Sequence, residues 1–165
     1  MVNYCSMYFL VNVIMNIIFL DIDGVMNSRR NAIRLSDQGK PDPIMRQFDP
    51  EAIQCLNRIL EETDAQIVIS SIWRLHWSLD PLRHHFRRQG VSNPGRIIDE
   101  TPKVWSRHRG REIELWLKDH ECDQFVIIDD GSNLEPFMDH LVKTEFDNGM
   151  TTTEAEEVIR RFNTA

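Results

Sequence analysis

The stretch FLDIDGVMN, residues 19–27, decides how the rest of the chain is interpreted. Residues 16–20, NIIFL, are mostly apolar, as in strands that are buried on both faces of a parallel sheet. Asp21 and Asp23 follow this run, so they are predicted at the carboxyl end of a central strand. Two carboxylates at the edge of a core need a function or a partner that offsets their burial.

Outward from this strand, short apolar segments alternate with amphipathic helical patterns. Strands are predicted at 66–70, 96–99, 125–129 and 141–146, and helices at 49–63, 80–90, 109–120 and 151–162. The polar interval 27–47 is predicted to be a loop or small flap. The alternation predicts an α/β fold, a doubly wound, three-layer Rossmann-like domain with a five-stranded parallel sheet and ligands at the carboxyl ends of its strands.

The composition is that of an ordinary globular domain. The 165 residues are 41% hydrophobic and 27% charged, and the net charge of -7 argues against a broad basic footprint for nucleic acid. Residues 16–165 are predicted to form a single domain, and residues 1–15 an N-terminal extension without a function. Three scattered cysteines and no signal-peptide pattern predict a reduced, cytoplasmic protein that does not contact membranes.

Polar side chains follow three of the predicted strands. Because the carboxyl ends of parallel strands meet at one edge of the sheet, these side chains should converge. Several carboxylates in one cleft repel one another, and Mg²⁺ with oxygen ligands offsets that repulsion. A serine hydroxyl at the start of a helix can bind a phosphoryl oxygen. The converging residues are Asp21, Asp23, Ser70, Ser71, Asp129 and Asp130.

Three motifs in chain order resemble those of the haloacid dehalogenase (HAD) superfamily: DIDG at 21–24, IVIS at 67–70 and VIIDD at 126–130. The segments FLDIDGVMN, ISSIWR, DETP, RGREIELWL and NGMT resemble the HAD branch associated with Swiss Army Knife RNA repair proteins. The likeness covers nearly everything from residue 15 onward.

The resemblance implies a phosphatase that forms a covalent aspartyl phosphate. Asp21 would attack phosphorus, and Asp23 would protonate the leaving oxygen and then deprotonate water. Ser70 would bind the phosphoryl group. Mg²⁺ would be held by Asp21, the Asp23 backbone carbonyl and Asp129, with Asp130 as a water-mediated ligand or as an orienting group.

The cation that neutralises the phosphoryl group is a point where the chain departs from the general family, which usually has a lysine ahead of the fourth strand. Arg109, followed by Gly110 at a predicted helix start, is the expected equivalent. Lys103 and Arg111 remain as alternatives.

Neither interval between the motifs has room for a cap domain, because 24–69 and 72–108 already hold predicted helices and strands. An open site favours a substrate large enough to close the cleft, such as a nucleic-acid end or a phosphoprotein, although capless enzymes with small substrates exist. Arg29, Arg30 and Arg34 and the RNA-repair resemblance favour a nucleotide or nucleic-acid end, whereas the net charge opposes it. No obligate protein partner is inferred.

Other interpretations stay open. A HAD-fold binding module would bind Mg²⁺ and phosphate without releasing phosphate. A response-regulator receiver is disfavoured, since its acidic pair comes first, whereas here the paired DD comes last.

Arg74 could reach the phosphate or form a structural ion pair. Packing is favoured over base stacking for Trp73, Trp77 and Trp105, and the basic run 83–88 is predicted to be a solvated helix face.

Overall fold

A computed structural model of the protein describes residues 15–40, 47–104 and 108–164. Its five strands are β1 (Asn16–Leu20), β2 (Gln66–Ile69), β3 (Ile97–Glu100), β4 (Gln124–Asp129) and β5 (Leu141–Lys143). They form one parallel sheet in the order β3-β2-β1-β4-β5. The predicted doubly wound fold is confirmed, with β1 at its centre and the strand order reversing between β1 and β4.

Five α-helices surround the sheet: α1 (Arg29–Asp37), α2 (Pro50–Thr63), α3 (Leu79–Gln89), α4 (Arg109–Asp119) and α5 (Thr152–Asn163). The start of α2 follows its sequence signals, since the Asp49 carboxylate accepts from the Glu51 N–H and Pro50 is the first helical residue. Of the two candidate capping boxes before α5, Thr151 with Glu154 is the one that forms. A side-chain N-cap of this kind stabilises a helix by about 1 kcal/mol.

Alternation along β1 builds a core on each face of the sheet. Ile18 and Leu20 pack in a core that includes apolar residues of α2, α3 and α5, whereas Ile17 and Phe19 face Ile113 and Trp116 of α4. The result is three layers, helix on sheet on helix. Among the described residues, nothing of the size of a cap domain lies between the motifs, as predicted.

The prediction that 27–47 is a loop or flap was wrong, because this interval contains α1. Ser28 is its N-cap, and the Ser28 Oγ accepts a hydrogen bond from the Asn31 N–H at 3.1 Å. The helix is short and mostly polar, and Asn31 and Leu35 are its buried residues, so this interval offers few apolar residues from which a helix could be predicted. The remainder of the predicted flap, residues 41–46, lies outside the described residues.

The last strand is shorter than predicted, since β5 ends at Lys143 rather than at residue 146. Thr144 follows it, and its hydroxyl donates to the Gly24 carbonyl oxygen at 2.7 Å, which ties this part of the chain to the loop after β1. Among the described residues, every helix is too short or too polar to traverse a bilayer. Residues 1–14, most of the predicted extension, are not described.

Candidate active site

Asp21 lies directly after β1, at the point where the strand order reverses and ligands bind in doubly wound sheets. Its backbone N–H donates to the Ile128 carbonyl, and its Oδ1 accepts from the Ile22 N–H at 2.7 Å. The residue is 2% exposed. Burial raises the pKa of Asp21 to about 6, against the opposing effect of Arg109 and with a further rise from Asp129. A charged Asp21 therefore lacks full compensation within the described residues.

The second acidic pair stands at the end of β4, next to Asp21. Asp129 is buried, and its Oδ1 accepts from the Gly131 N–H at 2.7 Å. Burial, and secondarily Asp129, raise the pKa of Asp130. Gly24 has φ of +75°, and a Cβ there would lie 2.5 Å from Asp130 Oδ2, so this position requires glycine. Because Gly24 has no side chain, the Asp130 carboxylate can lie close to its backbone.

Three carboxylates meet in a geometry suited to a cation. Asp21, Asp129 and Asp130 each offer an oxygen, and these oxygens all lie within 4.8 Å of one another. Burial makes their mutual repulsion strong, and hard oxygen donors are the ligands that Mg²⁺ prefers. The residues fit the predicted metal. Ligation by the Asp23 backbone carbonyl stays a prediction.

Arg109, the first residue of α4, brings a guanidinium to this cluster. Its NH1 nitrogen lies 2.5 Å from Asp21 Oδ2 and 2.5 Å from Asp129 Oδ2. Burial would lower the pKa of Arg109, but the two carboxylates raise it, and it lies above its usual range. Gly110 lets the helix start pack against the backbone at Leu134 and Glu135, where a Cβ would clash.

The two alternative cations point elsewhere. Lys103 pairs with Glu100 at 3.3 Å, and Arg111 pairs with Glu114 on the surface of α4. Of the three cations considered from the sequence, Arg109 is the one in contact with the acidic cluster. Its contact with a phosphoryl group stays a prediction.

Ser70 follows β2 beside Asp21, since its backbone N–H donates to the Leu20 carbonyl at 2.8 Å. The residue is fully buried, and its Oγ has no hydrogen-bond partner among the described residues. A buried hydroxyl without a partner is destabilising, by about 1–3 kcal/mol. Such an oxygen at the strand ends is suited to bind a ligand atom.

Asp23 is oriented differently from the three clustered carboxylates. Its Oδ1 accepts from the Asn27 side-chain amide at 2.7 Å, and its Oδ2 accepts from Trp73 Nε1 at 3.0 Å. Both donors hold the side chain in one orientation. A carboxylate fixed in this way can exchange a proton with a bound molecule, as its predicted role requires.

Arg74 forms the structural ion pair that the sequence left open. It is 3% exposed, and its NH2 lies 2.6 Å from Glu112 Oε2 on α4. The guanidinium also donates to the carbonyl oxygens of Ser71 and Thr101. Arg74 thus joins the ends of β2 and β3 to the first turn of α4, the turn that carries Arg109.

Sequence reasoning missed the roles of Asn27 and Glu112, and it assigned Trp73 to packing without its hydrogen bond to Asp23. Asn27 bridges the loop after β1, because its Oδ1 accepts from the Gly24 N–H while its amide donates to Asp23. The preference of asparagine for turns that use its side chain was the available signal. Glu112 carried no signal, since its partner is distant in the sequence. Trp105 lies outside the described residues.

Together, an aspartate pair after the central strand, a serine after β2, a cation at the start of α4 and an acidic pair after β4 define the site of a HAD superfamily protein. The family model described as the HAD domain in Swiss Army Knife RNA repair proteins matches residues 17–155. The chain belongs to this family, so the predicted resemblance is confirmed.

A haloacid dehalogenase-like family hydrolase from Streptococcus pneumoniae is a structural neighbour. It is 13% identical, with a TM-score of 0.49, over 88% of this chain and 90% of that chain. Comparison with curated proteins gives no significant match.

Proposed function

We propose that the protein is a Mg²⁺-dependent phosphatase that hydrolyses a phosphomonoester through an aspartyl phosphate on Asp21. The observation that carries this proposal is the arrangement around Asp21, a buried carboxylate with Arg109 on one oxygen and Asp129 and Asp130 beside it. Asp21, Asp129 and Asp130 are the side chains that would hold Mg²⁺. When bound, the ion would neutralise these carboxylates and polarise the phosphoryl group.

Asp21 is positioned to act as the nucleophile. The Ile22 N–H fixes one oxygen, and burial keeps water away from the carboxylate. In the first step, an Asp21 oxygen bonds to phosphorus as the bond from phosphorus to the ester oxygen breaks. In the second step, water attacks the aspartyl phosphate, which restores Asp21 and releases inorganic phosphate.

Asp23 supplies and removes the proton in these steps. As the acid it protonates the leaving oxygen, and as the base it then takes a proton from the attacking water, so the cycle returns it to its starting state. Trp73 and Asn27 hold the carboxylate in place for both transfers. Arg109 and the Ser70 hydroxyl, which has no partner in the described part of the chain, would bind phosphoryl oxygens.

The substrate that we propose is a phosphorylated nucleotide or nucleic-acid end. Three observations support this class: the cleft has no cap among the described residues, arginines lie on α1, and the family is described from RNA repair proteins. With a net charge of -7, the protein would recognise nucleic acid through a local surface. Phosphoproteins and small phosphate esters are the competing substrates.

The cysteines support the expected cytoplasmic location. Cys55 and Cys122 are free thiols among the described residues. Burial raises the pKa of Cys55 to about 11, which makes this thiol unreactive. Unpaired structural cysteines are usual in a reducing compartment.

The test is phosphate release from p-nitrophenyl phosphate, mononucleotides and 3′- or 5′-phosphorylated RNA and DNA, with Mg²⁺ or EDTA. Wild type should release phosphate only with Mg²⁺, and Asp21→Asn should lower turnover by at least about 10³-fold. The matched control is Asp37→Asn, which changes an exposed carboxylate on α1. Retained turnover in Asp21→Asn would contradict the mechanism, and Mg²⁺ binding without phosphate release would favour a binding module.

A further inference from the structure

A cavity of about 580 Å³ lies between α1, the start of α2 and α3. It falls within the size range of small-molecule sites. The residues that define it here are Asn31, Arg34, Phe48, Trp77, His85 and Arg88. It is separate from the carboxylate cluster, and nothing in the mechanism uses it.

Among the described residues that line the cavity, the permanently charged side chains are the arginines Arg34 and Arg88. No acidic side chain is among the described residues that line it, although the protein as a whole is acidic. Three other arginines of α1 and α3 pair with carboxylates, Arg29 with Asp147, Arg30 with Glu51 and Arg83 with Asp80, whereas Arg87 forms no ion pair among the described residues.

The two arginines of the cavity differ from the three paired ones. Arg34 donates to the Asn31 side-chain oxygen at 2.6 Å. Within the described residues, neither Arg34 nor Arg88 forms an ion pair with a carboxylate. Their remaining N–H groups are suited to phosphate oxygens.

The wall toward α3 is aromatic. The rings of Trp77 and His85 meet edge to face, with centroids 5.3 Å apart, and the His85 ring lies 5.1 Å from that of Phe48. Flat aromatic surfaces beside arginines are the usual means by which proteins hold unpaired nucleobases. Gln47 and Gln89 also line the cavity, and their side-chain amide N–H groups can donate to base edges.

The Trp73 side chain lies between the cavity and Asp23, the proposed proton donor. Trp73 donates to Asp23 Oδ2, and its ring centroid lies 5.6 Å from that of Trp77 and 5.5 Å from that of His85. Asp23 faces the leaving oxygen in the proposed reaction. A substrate group attached to that oxygen would reach the cavity if it passed along the Trp73 ring.

We propose that this cavity binds the terminal nucleoside of the phosphorylated substrate, with the base against Trp77 and His85. Arg34 and Arg88 bind the phosphodiester of the adjoining nucleotide. This inference rests on the proposed phosphatase function and deepens it, since it names the part of the protein that recognises the substrate.

Binding is measured with an otherwise unmodified protein carrying Asp21→Asn, so that no turnover occurs. The probes are short RNA oligomers phosphorylated at the 3′ or the 5′ end and labelled at the other end, followed by fluorescence anisotropy. Arg34→Gln and Arg88→Gln should each weaken binding about tenfold and lower the dependence of affinity on salt. Trp77→Leu should weaken it similarly, whereas Trp77→Phe retains an aromatic face and most of the affinity.

The matched control is Arg87→Gln, which removes the same charge one residue away, outside the cavity lining. It should change affinity less than about twofold. Equal losses in Arg87→Gln and Arg88→Gln, no loss in either cavity-arginine variant, or no binding of any oligomer would each overturn the inference. Arg34 and Arg88 are exposed, so their replacement should not unfold the protein. A loss of binding in these variants can therefore be assigned to the cavity.

Competition with nucleoside monophosphates shows whether the bound nucleoside belongs to a nucleic-acid end or to a free mononucleotide. An oligomer that binds about tenfold tighter than the monophosphate identifies a chain end, whereas equal affinities identify a mononucleotide. Turnover by protein that keeps Asp21 distinguishes the cavity inference from the phosphatase proposal. If p-nitrophenyl phosphate is hydrolysed but the ratio of kcat/KM for oligomer over p-nitrophenyl phosphate is unchanged in Arg88→Gln, the cavity inference fails alone. If no ester is hydrolysed while binding depends on the cavity arginines, the phosphatase proposal fails alone.

Discussion

Arg74 and Arg109 both have largely buried side chains, and both lie at the first turn of α4. Their surroundings differ. Arg74 has one carboxylate, Glu112, and two backbone carbonyls as partners, so the formal charges of the pair balance, although burial raises the pKa of Glu112. Arg109 shares a single nitrogen between Asp21 and Asp129, in a cluster that holds three carboxylates. A one-to-one ion pair leaves no charge for a ligand, whereas an unbalanced cluster retains the capacity to bind further cations and a ligand.

The largest effect on stability is expected at the balanced pair. Arg74→Met removes the paired charge from the buried Glu112 and leaves Arg109 as its remaining positive neighbour, so it should lower the free energy of unfolding by about 3–5 kcal/mol. Urea denaturation measures this loss. The double variant Arg74→Met with Glu112→Leu should recover at least half of it, because the uncompensated charge is gone. A single-variant loss below about 1 kcal/mol would show that the pair is not structural.

Arg109→Gln should act on function more than on stability. Removal of a charged donor from a buried site lowers kcat/KM by about 10²–10³-fold, measured on p-nitrophenyl phosphate. Arg111→Gln, which removes the same charge two residues along α4, is the control and should keep nearly full activity. Comparable losses in both variants would remove the distinction between Arg109 and an ordinary surface charge.

The same pair of variants tests whether the guanidinium competes with the metal. Since NH1 contacts two of the three candidate ligands, Arg109→Gln should tighten Mg²⁺ binding about tenfold in calorimetry, whereas Arg111→Gln should leave it nearly unchanged. Weaker Mg²⁺ binding in Arg109→Gln would mean that the arginine organises the ligands.

A smaller effect is expected from Asp21→Asn on the metal-free protein. The folded-state pKa of Asp21 is raised to about 6, so the protonated form stabilises the fold at low pH, and this contribution is lost as pH rises from about 4 to 6. Above pH 6 in EDTA, Asp21→Asn should therefore be more stable than wild type by about 1–3 kcal/mol. The difference should vanish near pH 4. Equal stability at pH 8 would show that Arg109 compensates Asp21 fully.

The smallest effect concerns the donor to Asp23. Trp73→Phe keeps an aromatic ring but removes the Nε1–H that bonds Asp23 Oδ2, and should lower kcat about five- to tenfold, of the order of one hydrogen bond. KM for p-nitrophenyl phosphate should change little, which separates orientation of the acid from substrate binding. An unchanged kcat would mean that Asn27 alone suffices to hold Asp23.

The strands and the acidic residues were predictable because each rests on local sequence. NIIFL is apolar enough to indicate a buried strand, and an aspartate after a strand end can be placed once the topology is known. The partner of Arg74 was not predictable, since Glu112 is distant in the chain and pairing depends on how α4 packs. Helix α1 was missed because it is short and mostly polar, and because its cap and its contact with Phe48 become visible only in the folded chain.

The junction between the first two helices has a consequence for how this architecture can grow. Ser28 Oγ donates to Asp49 Oδ2 at 2.7 Å, and the Asp49 N–H donates to the Met26 carbonyl at 2.7 Å. These bonds join the cap of α1 to the cap of α2 whatever the chain between them does. Doubling the length of a flexible connection costs only about 0.6 kcal/mol in closure entropy. The connection between α1 and α2 is therefore an attachment point at which a covering module could be grafted while the catalytic loop keeps its shape.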